Sequence, residues 1–224
     1  MPFEGILGGV YKLADWIYTI IFSDLLWVLC NIPAIYVLFQ LLLADSISVM
    51  FPLAFMLVLL LPFTFFPATI ALFAVIHDLN NREDLSIVRC YWHKYRSYYK
   101  RSVKLGLWLT LLWAMLVVDF VYVHSLFNGA IDYIFLSLIF FALMVTLHML
   151  TALINSENPT VRILALAKTA FKKITSRPLT SFSTIFILIV YSAICLYLAP
   201  ILLALTIGSL TAQLMTKADG SLVV

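Results

Sequence analysis

The sequence has few charged side chains. Only 11% of its 224 residues are Asp, Glu, Lys or Arg, whereas a soluble domain has about 25%. So few charged side chains cannot cover the surface of a water-soluble domain, and the mean hydropathy of +1.07 likewise indicates a membrane protein. The apolar residues form long runs rather than alternating with polar ones, which indicates membrane-spanning helices and not barrel strands. The sequence therefore predicts an all-α polytopic bundle of transmembrane helices with flanking amphipathic interfacial helices.

Cysteines and catalytic motifs are also scarce. The three cysteines, Cys30, Cys90 and Cys195, lie far apart without a CxxC pair, which argues against a disulfide framework or a zinc site. No HExxH, GxSxG or Walker lysine motif is present, and the four histidines lack the spacing of metal ligands. We therefore expect no enzyme activity, no metal and no cofactor.

The apolar runs predict about five spans, because about 20 apolar residues cross a bilayer. An amphipathic helix on the membrane surface, residues 1–18, is expected to precede the first span. The predicted spans are residues 20–43, 51–76, 103–122, 133–154 and 182–200. The predicted loops, each containing an interfacial helix, are residues 77–102 and 155–180.

Prolines predict where spans are interrupted. Pro52, Pro62 and Pro67 fall within the second span, which should be kinked or partly unwound. The last apolar run, residues 181–215, is too long for one ordinary span, and Pro200 is expected to divide it. A single crossing followed by a shorter segment at the far interface is favoured, and a second crossing is the alternative.

Positive charges are gathered in two stretches. The stretch from His77 to Lys104 holds half of all lysines and arginines: Arg82, Arg89, Lys94, Arg96, Lys100, Arg101 and Lys104. The second stretch contains Arg162, Lys168, Lys172, Lys173 and Arg177. Because lysine and arginine accumulate in cytoplasmic loops, both stretches and the N-terminus are predicted to be cytoplasmic in a multi-pass protein of the cell membrane.

Aromatic residues accompany the first basic stretch, where Trp92, Tyr95 and Tyr99 share one helical face. This composition resembles a nucleic-acid-binding patch, but membrane topology alone explains the positive charge, so no nucleic-acid partner is expected. Acidic lipid headgroups or a cytoplasmic protein are compatible partners. The candidate contact residues are Arg96, Lys100, Arg101, Lys172 and Lys173.

A few polar residues interrupt the predicted spans. A carboxylate in hydrocarbon is costly, so an intramembrane aspartate is a functional candidate. Asp24 could instead lie at the inner interface within reach of loop arginines, and Asp119 lies near the outer edge. His148 is expected to hydrogen-bond across helices. Asn31 points to a polar spot inside the bundle, where it could line a cavity together with Pro67.

Five segments together resemble the YesL-like family of bacterial membrane proteins, whose biochemical activity is uncharacterised. They are GILGGVYKLADW near the N-terminus, SDLLWVLCNIP in the first span, FPATIALFAVIHDL from Phe66 to Leu79, YWHKYRSYYKRSVKLG in the basic stretch, and RPLTSF before the last span. The resemblance covers nearly the whole chain. It implies an association with carbohydrate uptake alongside sugar ABC importers, and it implies no catalytic residues.

Three functions are compatible with these observations. The first is an accessory or regulatory membrane protein that contacts the permease subunits of a carbohydrate ABC importer. The second is a stand-alone transporter or channel for a small solute, with a cavity at the broken second span. A membrane enzyme ranks last, because only scattered Asp and His residues would support it.

Overall fold

The structure is a computed structural model that describes residues 6–78, 87–126, 130–156 and 162–218. These residues form eight helices and no strand, which confirms the predicted all-α bundle. The helices are α1 (Ile6–Leu42), α2 (Ile47–Leu60), α3 (Phe65–His77), α4 (Ile87–Leu126), α5 (Ala130–Ile154), α6 (Ile163–Ser176), α7 (Pro178–Leu198) and α8 (Pro200–Ala218).

Several helices are long and apolar enough to cross a membrane. Four qualify individually, over Trp16–Leu42, Ile87–Ser125, Asp132–Ile154 and Pro178–Leu198. Helices α2 and α3 qualify together as one broken span with a bend of 41°. The described part of the chain therefore has four such helices, or five when the bent pair is counted, as in a multi-pass membrane protein.

Proline causes the break in the second predicted span. Helix α2 ends at Leu60 and α3 begins at Phe65, with Pro62 in the turn between them. Proline has no backbone N–H and cannot continue the hydrogen-bond ladder of a helix. Pro67 lies in the first turn of α3, where no intrahelical acceptor is available for an N–H. The predicted kink is confirmed, and Pro62 is the residue that lies at it.

Two helices are longer than the sequence predicted. Helix α1 continues without a break from Ile6 to Leu42, so the predicted surface helix over residues 1–18 is not a separate element. Helix α4 has 40 residues and includes residues 87–102 of the predicted loop. No proline or glycine occurs in α4 before Gly106, so the helix continues where the hydrophobic run ends. The other residues of that loop after Asp78, numbers 79–86, lie outside the described part.

Helix α3 forms the centre of the bundle. Every residue from Phe66 to Ile76 is buried, and the helix packs against α1, α4, α5 and α8. Gly106 lets α4 approach closely, because a Cβ there would lie 2.9 Å from Phe66 Cδ2. The sequence of α3 is apolar on every face, and such a helix is expected to be surrounded by other helices.

Helix α8 returns along α7 instead of ending at the far side of the bundle. Ala199, between the two helices, has an extended backbone because Pro200 follows it. The hydroxyl groups of Tyr191 and Thr206 share a hydrogen bond near this turn. At the other end, Ala218 lies in a small cavity with Thr180 of the first turn of α7. Pro200 divides the last apolar run as predicted, but the second segment runs back through the bundle.

Helix α6 packs along α5. Leu166, Ala170 and Ile174 form its buried face, as its amphipathic pattern requires, and the Phe171 ring lies edge-on to Phe141 of α5 with centroids 6.4 Å apart. Its lysines lie on the other faces. The helix ends before Pro178, as predicted.

Candidate functional site: a buried carboxylate beside an apolar cavity

Asp24 of α1 is completely buried between helices. Its carboxylate oxygens accept hydrogen bonds from the backbone N–H of Ser209 in α8, at 3.1 and 3.2 Å. The Ser209 hydroxyl donates in turn to the carbonyl oxygen of Ile20, at 3.4 Å. The expected arginine partner is not found: Asp24 forms no ion pair within the described residues, and its partner is the Ser209 backbone N–H in the core.

Gly208 makes this contact between α1 and α8 possible. A Cβ at position 208 would lie 2.5 Å from Asp24 Oδ1 and 2.5 Å from Leu72 Cδ2. Any side chain there would therefore collide with α1 and with α3 at the same time. Small residues in membrane helices commonly serve such close approaches.

The buried face of α1 carries further polar groups. Ser23 and Asn31 are both buried, and Asn31 Nδ2 donates to the carbonyl oxygen of Trp27 at 2.8 Å. Neither the Ser23 hydroxyl nor Asn31 Oδ1 has a hydrogen-bond partner in the described part of the chain. The predicted polar spot around Asn31 therefore exists, but neither Asn31 nor Pro67 lines the apolar cavity described next.

An apolar cavity of about 490 Å³ lies next to the Asp24–Ser209 contact, and Gly208 is part of its wall. Helices α1, α3, α4, α5 and α8 and the turn after α2 line it. Its residues are Trp27, Leu61, Phe65, Phe66, Thr69, Phe73, Thr110, Trp113, Leu143, Thr146, Leu147, Leu150, Ile207, Gly208 and Thr211. No charged side chain is among them, so the cavity suits an uncharged and mainly apolar molecule.

Two tryptophan–threonine pairs hold opposite parts of this cavity together. Trp27 Nε1 donates to Thr69 Oγ1 at 3.0 Å, which joins α1 to α3. Trp113 Nε1 donates to Thr146 Oγ1 at 3.1 Å, which joins α4 to α5. Each buried indole N–H thus has the partner that a tryptophan in an apolar environment requires.

His148 forms the predicted interhelical hydrogen bond. Its Nε2 lies 2.9 Å from the Ser181 hydroxyl of α7, and the ring is buried. A second, polar cavity of about 160 Å³ lies beside it, with Lys173 and Arg177 among its lining residues. The described residues contain no group of three or more His, Cys, Asp or Glu side chains able to hold a metal ion.

The structure does not bring the other candidate residues together. Arg96, Lys100 and Lys172 are exposed, and so is Asp119 on α4. The Arg101 guanidinium carbon lies 6.0 Å from the centre of the Tyr98 ring, a cation–π distance. These residues are surface positions on two different helices, not one site.

Sequence reasoning missed Gly208, Ser209 and Tyr91. Gly208 and Ser209 are adjacent small residues in an apolar helix, and that pattern could have marked a packing site. Tyr91 is not among the aromatic residues that the sequence singles out in the basic stretch, yet it is completely buried, and its hydroxyl donates to the Ala68 carbonyl oxygen at 3.1 Å. The hydrophobic pattern alone does not distinguish a buried tyrosine from an interfacial one.

An ion pair connects the end of α3 to α4. Asp78 pairs with Lys94 and lies 3.3 Å from His77 Nδ1. Partial burial raises the pKa of the Asp78 carboxyl. The hydrogen bonds and the charges of Lys94 and His77 together lower this pKa by more, so it lies below its usual value. The ionised form is thus stabilised in the folded protein.

This lowered pKa predicts a pH-dependent contribution to stability. We expect Asp78→Asn to reduce the free energy of unfolding by about 0.5–1 kcal/mol at neutral pH, the size typical of an ion pair that water still reaches. The loss should be constant above the unfolded-state pKa of about 4 and should disappear as the pH falls through the lower folded-state pKa. Thermal unfolding in detergent across this pH range measures it, and Asp119→Asn, an exposed aspartate without an ion pair in the described residues, is the control. Equal effects of the two variants would contradict the prediction.

One family model matches the chain. Residues 16–120 match the model described as "Protein of unknown function, DUF624". No curated protein and no solved structure matches. The matched region includes Asp24, Trp27, Thr69 and Thr110, whereas Ser209 and the α5 wall of the cavity lie beyond it. Over just under half of its length, from the first span to most of α4, this chain is therefore similar to a family defined without a known function.

Proposed function

We propose that this protein is an accessory subunit of a bacterial carbohydrate ABC importer and that it contacts the importer through α4. The likeness to the YesL-like family supports the link with carbohydrate import. The contact surface comes from the structure. It is the exposed cationic face on the first half of α4, whose members are Arg89, Trp92, His93, Arg96, Lys100 and Lys104.

The two faces of this half of α4 differ sharply, and this is the observation that carries the proposal. Tyr91, Ser102 and Leu105 are buried, mainly against α3, while the cationic face is exposed. Helix α4 is about 60 Å long at 1.5 Å per residue, about twice the thickness of the hydrocarbon core. A rigid basic helix held by the bundle and extending beyond the membrane can bind an acidic protein surface without an ordering cost.

Orientation supports a contact on the inner side of the membrane. The cationic face and the lysines of α6 belong to the two basic stretches, and lysine and arginine favour the cytoplasmic side. The nucleotide-hydrolysing subunits of an ABC importer and the inner loops of its permease lie on that side. The proposed surface and its proposed partner thus face the same compartment.

The cavity supports an accessory role more than sugar transport by this chain alone. A sugar carries many hydroxyl groups, and each needs a hydrogen-bond partner when it leaves water. The cavity offers mainly apolar and aromatic side chains, and most of its hydroxyl groups already have partners. Asn31, the polar residue of the alternative hypothesis, is not part of its lining.

Co-purification from native membranes tests the proposal. A tagged wild-type chain should recover permease or ATPase subunits of a sugar importer. The double variant Arg96→Gln/Lys100→Gln should recover about tenfold less, because each lost charged contact weakens binding by about 0.5–1 kcal/mol or more. The matched control Lys168→Gln/Lys172→Gln removes two exposed charges from α6 and should recover wild-type amounts.

Three outcomes would contradict this account. Recovery of no importer subunit by the wild-type chain removes the accessory role. Equal recovery by both double variants removes the α4 surface. Sugar flux in vesicles that contain only this protein, lost in Asn31→Leu, would favour the transporter hypothesis.

A further inference from the structure

The apolar cavity contains one polar group that differs from its neighbours. Four threonines line the cavity. The hydroxyls of Thr69, Thr146 and Thr211 each donate to the carbonyl oxygen four residues earlier in their own helices, at 2.7, 2.8 and 2.6 Å. Thr110 is only 4% exposed, yet its hydroxyl has no hydrogen-bond partner among the described residues.

An unpartnered hydroxyl in such a place needs an explanation. A threonine in a helix can usually satisfy its hydroxyl on a carbonyl one turn back. Leaving a buried hydroxyl without a partner is costly, because the group loses its hydrogen bonds to water and gains none in return. Water is a poor partner here, because it needs two to four polar groups and the walls are almost wholly apolar. A ligand oxygen placed inside the cavity would satisfy Thr110.

The remaining walls define what kind of ligand this is. No Lys, Arg, His, Asp or Glu lines the cavity, so a charged group inside it would have no counter-ion. The indole N–H groups of Trp27 and Trp113 already donate to Thr69 and Thr146, which leaves only the apolar parts of the rings available. The volume of about 490 Å³ is within the 300–1,000 Å³ of small-molecule sites.

We propose that this cavity binds a long hydrocarbon chain carrying an uncharged oxygen, which accepts a hydrogen bond from the Thr110 hydroxyl. Most of the walls come from helices that are long and apolar enough to span the membrane, so such hydrocarbon chains are available in the surrounding lipid. Two sources have this chemistry: the acyl ester of a bilayer phospholipid and a single-chain lipid alcohol. The inference does not depend on the proposed importer partner.

The two cavity tryptophans provide a direct readout. Trp16, Trp92 and Trp108 are 43%, 44% and 62% exposed, so replacing them with Phe leaves Trp27 and Trp113 as the only emitters. Bromine atoms quench tryptophan emission on contact. A brominated chain inside the cavity would lie within contact distance, about 4 Å, of both indole rings. In vesicles of brominated phospholipid, or in ordinary vesicles with a brominated long-chain alcohol, this two-tryptophan protein should therefore lose about half of its emission.

Two further variants test the cavity itself. Leu143→Phe narrows the cavity and should reduce the quenching, whereas Leu138→Phe on the exposed side of α5 should not. Thr110→Val keeps the shape and removes the hydroxyl. It should raise the concentration of alcohol needed for half-maximal quenching about fivefold, or weaken quenching by phospholipid, because one hydrogen bond is worth about 1 kcal/mol.

The results separate the sources and can overturn the inference. If brominated phospholipid quenches the emission when it forms the bilayer, the bound hydrocarbon chain belongs to a bilayer lipid. If only the brominated alcohol quenches, and the quenching saturates, the bound hydrocarbon chain belongs to a single-chain amphiphile. Quenching that Leu143→Phe leaves intact would show that the bromine acts from outside the cavity and would refute the site. Unchanged binding by Thr110→Val would refute the role of the hydroxyl.

Discussion

Gly208→Ala is expected to reduce the free energy of unfolding by about 3–5 kcal/mol. The new methyl group would lie 2.5 Å from both Asp24 Oδ1 and Leu72 Cδ2, so the ends of these two side chains must move, although both are completely buried. Overpacking a dense core costs about 1–3 kcal/mol, and separating the Asp24 carboxylate from the Ser209 N–H adds about 1–3 kcal/mol. Thermal unfolding in detergent, followed by gel filtration of the surviving folded protein, measures the loss.

Gly9→Ala is a matched control for this variant. Nothing lies within 4 Å of a Cβ at position 9, so the same change there should stabilise α1 slightly, by about 0.5–1 kcal/mol. The double variant Asp24→Ala/Gly208→Ala should lose less than the sum of the single variants, because the carboxylate that blocks the methyl group is gone. Additive losses would mean that Gly208 and Asp24 do not meet.

Tyr91→Ala is expected to have an effect of similar size, about 3–5 kcal/mol, because it leaves a large cavity in the core. Tyr91 is completely buried beside Leu26, Leu72 and Val75, although it lies in a strongly basic part of the chain. Tyr91→Phe removes only the hydrogen bond to Ala68 and should cost about 1 kcal/mol. The same unfolding measurement compares both variants.

Tyr122→Ala on the same helix is the control. Tyr122 is 65% exposed, so its truncation should change stability by less than about 0.5 kcal/mol. If Tyr91→Ala were no worse than Tyr122→Ala, the first half of α4 would not pack on α3. The cationic face would then lose the rigid support that the proposed partner contact requires.

Much of the architecture follows from local sequence features. The apolar runs predicted the all-α bundle, and Pro62 and Pro200 marked two interruptions that the structure contains. The ends of helices were harder to predict. Residues 87–102 are polar and basic, which suggested a separate interfacial helix. No proline or glycine lies between Ile87 and Gly106, so nothing in the backbone separates this part of α4 from the apolar part that follows.

The candidate site shows a similar division. His148 was predicted to hydrogen-bond across helices, because a polar group in a span must find a partner, and the structure supplies Ser181. Asp24 needed a partner for the same reason, but an arginine in a loop was as reasonable from the sequence as a backbone N–H in α8. Likewise, nothing in the sequence distinguishes Thr110 from the other threonines, and only the cavity around it does.

Local sequence features are enough to show that this is a helical protein with several apolar helices that could span a membrane, and where prolines interrupt them, because these properties depend on neighbouring residues. Three features appear only once the helices are packed: Asp24 contacts Ser209, 185 positions away, α8 returns along α7, and five helices line an apolar cavity. Such contacts depend on which helix faces meet. In a chain whose helices are apolar on nearly every side, periodicity does not specify those faces.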